Sequence, residues 1–238
     1  MNWPVIIAIL SCAGFVQGMT GFGFGLVSMS LLPAILGLKQ AAAIGTFYGL
    51  LVIIGTFIRH YRDYNWRLGI PFLISSCIGV PIGVYFLENL NEGLLLRILG
   101  AVMVYFAVRE FVLKKRLESI STMMSVPFGF FSGCLSGAFN LGGIPTATFA
   151  YAHPWTRGQI MAFLQTMLIL SCTLRLFLYG KIGYLKGFSW SFGAIVAVPL
   201  FASMFLGNYI MSRIHPKHMR QGIFAFIGLA GIYYLFFH

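Results

Sequence analysis

Charged side chains divide this chain into long apolar runs. Residues 1–38 carry none, and the first is Lys39. Residues 41–58 are again uncharged and close at Arg59, followed by the polar turn Arg62-Asp63-Tyr64-Asn65-Trp66-Arg67. An uncharged run over 68–87 ends at Glu88, and a fourth extends from Leu94 to Leu113 with Arg97 and Arg109-Glu110 near its ends. Lys114-Lys115-Arg116 is the most basic connector. Residues 119–156 are then uncharged, and the later runs are separated by Lys181/Lys186 and by Arg213/Lys217/Arg220. About 20 apolar residues at 1.5 Å rise cross a hydrocarbon layer of about 30 Å. The pattern predicts membrane-spanning helices at 41–59, 68–87, 94–113, 158–179, 187–212 and 219–237.

The two longest uncharged runs, 1–38 and 119–156, fit neither one span nor two. As one helix each would extend about 57 Å, nearly twice the layer, and two spans with a turn need more than about 40 residues. Both are interrupted by glycine: Gly18-Met19-Thr20-Gly21-Phe22-Gly23-Phe24-Gly25 in the first, Gly137-Ala138-Phe139-Asn140-Leu141-Gly142-Gly143-Ile144-Pro145 in the second. Glycine costs about 1 kcal/mol in a helix interior and proline about 3. Broken helices over 4–36 and 123–152 are therefore expected, dipping to mid-membrane, where irregular backbone is tolerated only inside protein or beside water. Close packing of helices is the plainer use of such glycines, and it accounts for Gly79 and Gly83.

The second half of the chain follows the order of the first. Gly14-Phe15-Val16-Gln17-Gly18 matches Gly129-Phe130-Phe131-Ser132-Gly133 as G-F-x-x-G, and Arg59 matches Arg175. The expected fold is an all-α integral membrane protein of two repeats, residues 1–118 and 119–238, each a Gly-broken helix pair plus three transmembrane helices. If the long runs cross once, the repeats are parallel, and basic residues outside the membrane divide eight against six. If they re-enter, the second repeat inverts and the division is ten against four, with both termini outside. The tendency of Lys and Arg to stay cytoplasmic favours the inverted arrangement.

Composition agrees. Hydrophobic residues are 59% and charged residues 9%, against about 45–50% and about 25% in soluble domains. The net charge of +11 sits in short connectors, as orienting charges do, rather than on one face as in a nucleic-acid binder. Cys12, Cys77, Cys134 and Cys172 lie inside apolar runs with no metal-ligand spacing. Met1-Asn2-Trp3-Pro4 has no basic stretch, so the first run is expected to remain in the mature protein.

The chemistry is one of missing carboxylates. The single Asp is Asp63, in a connector, and the four Glu lie near run ends, whereas proton and metal carriers place acids at mid-membrane. Catalytic motifs and cofactor signatures are absent, and the five His fall near run ends. An anion is the solute that remains. Helix N-termini meeting at mid-membrane direct backbone N–H groups at a bound solute, and glycine lets the backbone approach. The candidate binding residues are Gln17, Thr20, Gly21, Phe22 and Gly23 of the first break, Ser136, Gly137, Asn140, Gly142 and Gly143 of the second, and Gln165, with Ser132 as a further donor. Arg59 and Arg175 are placed about one turn inside their span ends, to steer anions or to snorkel to the interface. On that placement no basic residue lies deep enough to neutralise an anion outright.

These residues carry a resemblance. Gly14 to Val27 followed by Pro33, and Gly129 to Gly133 with Gly142 to Pro145, resemble the two signature loops of the TauE/SafE sulfite-exporter family, and the turn 61–67 is similar to the loop after that family's second helix. One departure is Ile144, where many members have a further proline. The resemblance covers essentially the whole chain. It implies a permease for small sulfur-containing anions such as sulfite or organosulfonates, in a bacterial inner membrane, with the lipid bilayer as its surroundings. It implies no cofactor and no nucleic acid, and leaves open a coupling ion (proton or sodium), a homo-oligomer, and the direction of transport. An anion channel of the same architecture and, more distantly, a membrane enzyme acting through Cys134 or a His are the competing readings.

Overall fold

The computed structural model describes residues 3–57, 66–112, 121–185, 190–211 and 216–237. Among them every regular element is helical. The first long run forms α1 (Trp3–Thr20), α2 (Phe24–Leu31) and α3 (Pro33–Leu36), followed by α4 (Leu38–Phe57), α5 (Trp66–Asn89) and α6 (Glu92–Val112). The second forms α7 (Ser125–Phe139) and α8 (Gly143–Tyr151), followed by α9 (Arg157–Ile182), α10 (Trp190–Met211) and α11 (Pro216–Phe236). Both long runs break where glycine interrupts them, and both continue as helix after the break. Among the described residues four helices have the length and apolarity to cross a bilayer: Trp3–Thr20, Leu38–Phe57, Gly69–Asn89 and Gly158–Ile182. The helices are apolar on every face, and Ile74, Ile78, Val198, Phe205 and Leu229 stand outward without protein cover. That outer surface suits lipid and not water.

Glycine sets how closely the helices approach. α7 runs parallel along α5, with Gly133 against the Ser76 carbonyl and Gly137 against that of Val80; a Cβ would sit 2.3 and 2.2 Å from these oxygens. α1 runs parallel along α10 in the same manner, Gly14 against Leu200 and Gly18 against Met204. Gly83 and Gly207 complete each pair by resting on the carbonyls of Cys134 and Phe15. Gly14 thus corresponds to Gly133 and Gly18 to Gly137. The match of Gly14 and Gly18 to Gly129 and Gly133 is one helical turn out of this register, because G-F-x-x-G recurs within the glycine stripe itself.

Each broken helix turns back on itself. Gly129, near the start of α7, lies against Phe72, and Phe149, near the end of α8, packs its ring 5.3 Å from that of Phe72. Arg109, near the end of α6, donates to Thr148 Oγ1 at 2.7 Å. In the other half, α1 starts beside the start of α10, and the chain after α3 brings the Leu38 N–H to Glu92 Oε1 at 2.6 Å. Glu92 begins α6, whose antiparallel crossing with α11 at Gly100 and Gly231 puts it near the end of α11. The hairpin of α1 to α3 opens toward that end, and the hairpin of α7 and α8 toward the other.

Candidate functional site

The first break is held by neutral carboxamides. The Gly21 N–H bonds the Gln17 carbonyl at 2.8 Å, and its φ of 82° ends α1 in a conformation that suits glycine. Buried Gln17 spans the gap: Nε2 donates to the Gly21 carbonyl at 2.8 Å and Oε1 accepts from the Phe24 N–H at 3.0 Å. Gln165, from α9, donates to the same Gly21 carbonyl at 2.9 Å, and Thr56 donates to Gln165 Oε1 at 3.0 Å. Two helix ends that would carry unsatisfied groups are closed by side chains without formal charge.

The second break is held by a cation. Asn140 is the one non-glycine residue with positive φ among those described, at 60°. Asn is among the few side chains that tolerate this region, and here it closes α7 as glycine closes α1. Arg175 of α9 is fully buried against it. Its Nη1 donates to the Ser136 carbonyl and to Ser136 Oγ at 2.9 Å; its Nη2 donates to Asn140 Oδ1 at 2.5 Å and lies 3.2 Å from Cys172 Sγ. Tyr179, one turn further on, donates to the Gly137 carbonyl at 2.8 Å. Ser132 and Thr146 both donate to the Gly142 carbonyl at 2.8 Å, closing the hairpin.

The two breaks touch. Gly25 lies on the Asn140 backbone oxygen, and a Cβ on Gly143 would sit 3.1 Å from the Phe22 carbonyl oxygen. The structure therefore brings together Gln17, Gly21, Phe22 and Gln165 with Ser136, Asn140, Gly143 and Arg175. Other candidates serve local ends. Thr20 bonds back to the Val16 carbonyl, Gly23 rests against Val16 and Thr20, Gly137 packs on α5, and Gly142 gives its carbonyl to the hairpin. Arg59 lies outside the described residues.

Arg175 is placed differently from the sequence expectation. It does not sit one turn inside a span end: α9 runs on through Ile182, two turns beyond it. The helix can extend because Lys181 turns outward over the Phe177 ring, 4.5 Å from its centroid, and Gly183 stops it at φ 92°. A basic residue does lie deep in the protein. Removing a guanidinium from water costs several kcal/mol, and only hydrogen bonds and opposite charge offset that. Every contact the structure gives Arg175 is neutral.

Sequence reasoning missed Thr56, Thr146 and Gly45. The two threonines are ordinary in apolar helices, and Gly45 matters only because Asn140 Nδ2 lies where its Cβ would come within 3.2 Å.

The family model for the sulfite exporter TauE/SafE matches residues 6–234. The chain is 28% identical over 178 residues to a probable sulfite/organosulfonate exporter of Cupriavidus necator, covering 71% of this chain and 68% of that one. A probable membrane transporter protein of Methanocaldococcus jannaschii is 24% identical over 264 residues, 97% of this chain and 96% of its own. No solved structure matches the chain. Matched from its first helix to its last, and at both helix breaks, the chain belongs to the TauE/SafE family of membrane transporters.

Proposed function

We propose that the protein is a secondary carrier that moves small sulfur-containing anions, sulfite or organosulfonates, across the cell (inner) membrane by alternating access. The observation that carries this reading is Arg175: a fully buried guanidinium at the meeting point of two helix breaks, with no carboxylate among its contacts. Arg stays charged in proteins. A structural arginine at that depth is normally paired, whereas a binding arginine waits for its anion. The family's description and the name of the Cupriavidus necator relative supply the class of anion, and the lack of carboxylates inside the long apolar runs argues against a cation.

The two hairpins support alternating access. They open toward opposite ends and touch where Gly25 meets Asn140 and Gly143 meets Phe22, so rocking one half against the other would expose that place to each side in turn. We read the halves as inverted repeats with both termini outside, in keeping with the ten-to-four division of basic residues. A channel would use the same breaks without alternation, and saturable flux with counterflow separates the two. The deciding test is reconstitution in liposomes. Sulfite or methanesulfonate flux should saturate and should fall at least tenfold in Arg175→Met, matching a loss of about 1.5–3 kcal/mol for a charged hydrogen bond. Transport of a cation with no response to sulfur oxyanions would sink the reading.

A further inference from the structure

We infer, on the carrier reading above, that the site accepts one singly charged oxyanion, hydrogensulfite or an alkyl sulfonate, and rejects doubly charged sulfite and sulfate. The ground is the charge that the described side chains bring to a buried site. Arg175 is 0% exposed and gives its hydrogen bonds to Ser136, Asn140 and Cys172, all neutral. Of the other basic residues whose side chains the structure describes, Arg109 bonds Thr148, Lys39 bonds the Glu88 carbonyl, and Arg97 and Lys181 are exposed. One anion charge makes a neutral pair with Arg175. A second would be buried without a partner, which costs far more than neutral donors return.

Two buried donors show where the anion fits. Arg175 Nε and Asn140 Nδ2 have no acceptor. Nε and Nη2 form one edge of the guanidinium, the fork that takes two oxygens of a planar or pyramidal oxyanion. Asn140 Oδ1 now occupies Nη2 at 2.5 Å, in the place of an anion oxygen. The Asn140 amide supplies a further donor, and Gly45 keeps the space over it open.

Among the described residues, the titratable groups beside Arg175 are Cys172, 3.2 Å from Nη2, and Tyr179, one turn further along the same helix. Facing it, α7 presents Ser136 and Asn140, and among the described residues α4, α5, α7 and α8 bring no Asp, Glu or His to the guanidinium. With these groups alone at the guanidinium, the pH dependence near neutrality that the inference expects is that of the anion.

The test uses the wild-type protein in vesicles, with the potential clamped by potassium and valinomycin. Flux of radiolabelled sulfite, sulfate and methanesulfonate is followed across neutral pH, after subtracting leakage through protein-free vesicles. Sulfite flux at fixed total concentration should fall about tenfold per pH unit above the second ionisation of sulfurous acid, as the singly charged form does. Methanesulfonate flux should stay level, and sulfate should not be carried. Gly45→Ala should lower methanesulfonate flux about tenfold while the protein still elutes as a folded species. Sulfite flux that stays level or rises with pH beside a level methanesulfonate flux overturns the inference, as does sulfate flux comparable to either. A joint fall of sulfite and methanesulfonate would put the titration in the protein and overturn it too. Wild-type flux in Gly45→Ala would overturn the placement of the anion. Failure of all three anions to cross would instead remove the carrier reading itself.

Discussion

A Cβ on Gly25 would lie 2.0 Å from the backbone oxygen of Asn140. The start of α2 therefore rests directly on the residue that ends α7, backbone to backbone. Through Asn140 it is one hydrogen bond from the buried guanidinium of Arg175. Two interruptions far apart in the chain form one place.

Glycines at this contact and glycines at helix crossings should fail differently. Gly143 faces the Phe22 carbonyl at 3.1 Å, so Gly143→Leu should leave folded protein in the membrane and abolish flux. Gly79 and Gly83 lie with Cβ positions 2.3 and 2.2 Å from carbonyls of α7; leucine there must part α5 from α7 and should eliminate folded protein. Gly180 has open space around it, and Gly180→Ala should be neutral or stabilise by up to about 1 kcal/mol. Size-exclusion profiles in detergent beside liposome flux distinguish these outcomes. Equal behaviour of Gly143→Leu and Gly83→Leu would erase the distinction.

Asn140 has two duties that substitution can separate. Glycine keeps the left-handed conformation and removes the side chain; alanine removes the side chain and strains the backbone by about 1–2 kcal/mol. Both Asn140→Gly and Asn140→Ala should weaken sulfite binding by roughly 1–3 kcal/mol. Only the alanine variant should also melt clearly earlier without ligand. Thermal shifts with and without sulfite report both quantities, and unchanged stabilisation by sulfite in Asn140→Gly would clear Asn140 of any part in binding.

Gln17 and Gln165 both bond the Gly21 carbonyl, but only Gln17 also serves the Phe24 N–H. Gln17→Leu leaves that buried donor unsatisfied and should destabilise by about 1–3 kcal/mol. Gln165→Leu leaves Gly21 with Gln17 and should cost less. Melting temperatures in the reverse order would mean that the first break is held from α9 rather than from within its own hairpin.

Topology follows from the opposed hairpins. Reporters fused at Lys115, which lies outside the described residues, and at Lys217, at the start of α11, should both report cytoplasm, and one after His238 the external side. An exchange between the last two signals would require the long runs to cross the membrane.

The membrane class, the helical runs and the places where two of them break were legible along the chain. Each depends on residues close in sequence. About 20 uncharged apolar residues must satisfy their backbone internally in lipid, and glycine or Asn-x-Gly-Gly-x-Pro interrupts them wherever they are placed. Even Gln17 and Asn140 could be chosen as polar groups beside a break. The depth of Arg175, the one-turn register between Gly14 and Gly133, the reach of Gln165 to Gly21 and the seat of Gly25 on Asn140 came only with the tertiary structure. In a soluble helix the apolar stripe tells which face turns inward. These helices are apolar all round, so no periodicity shows which face meets a neighbour and which meets lipid. Those choices rest on backbone approach between helices distant in sequence, where one hydrogen in place of a Cβ decides which surfaces can touch.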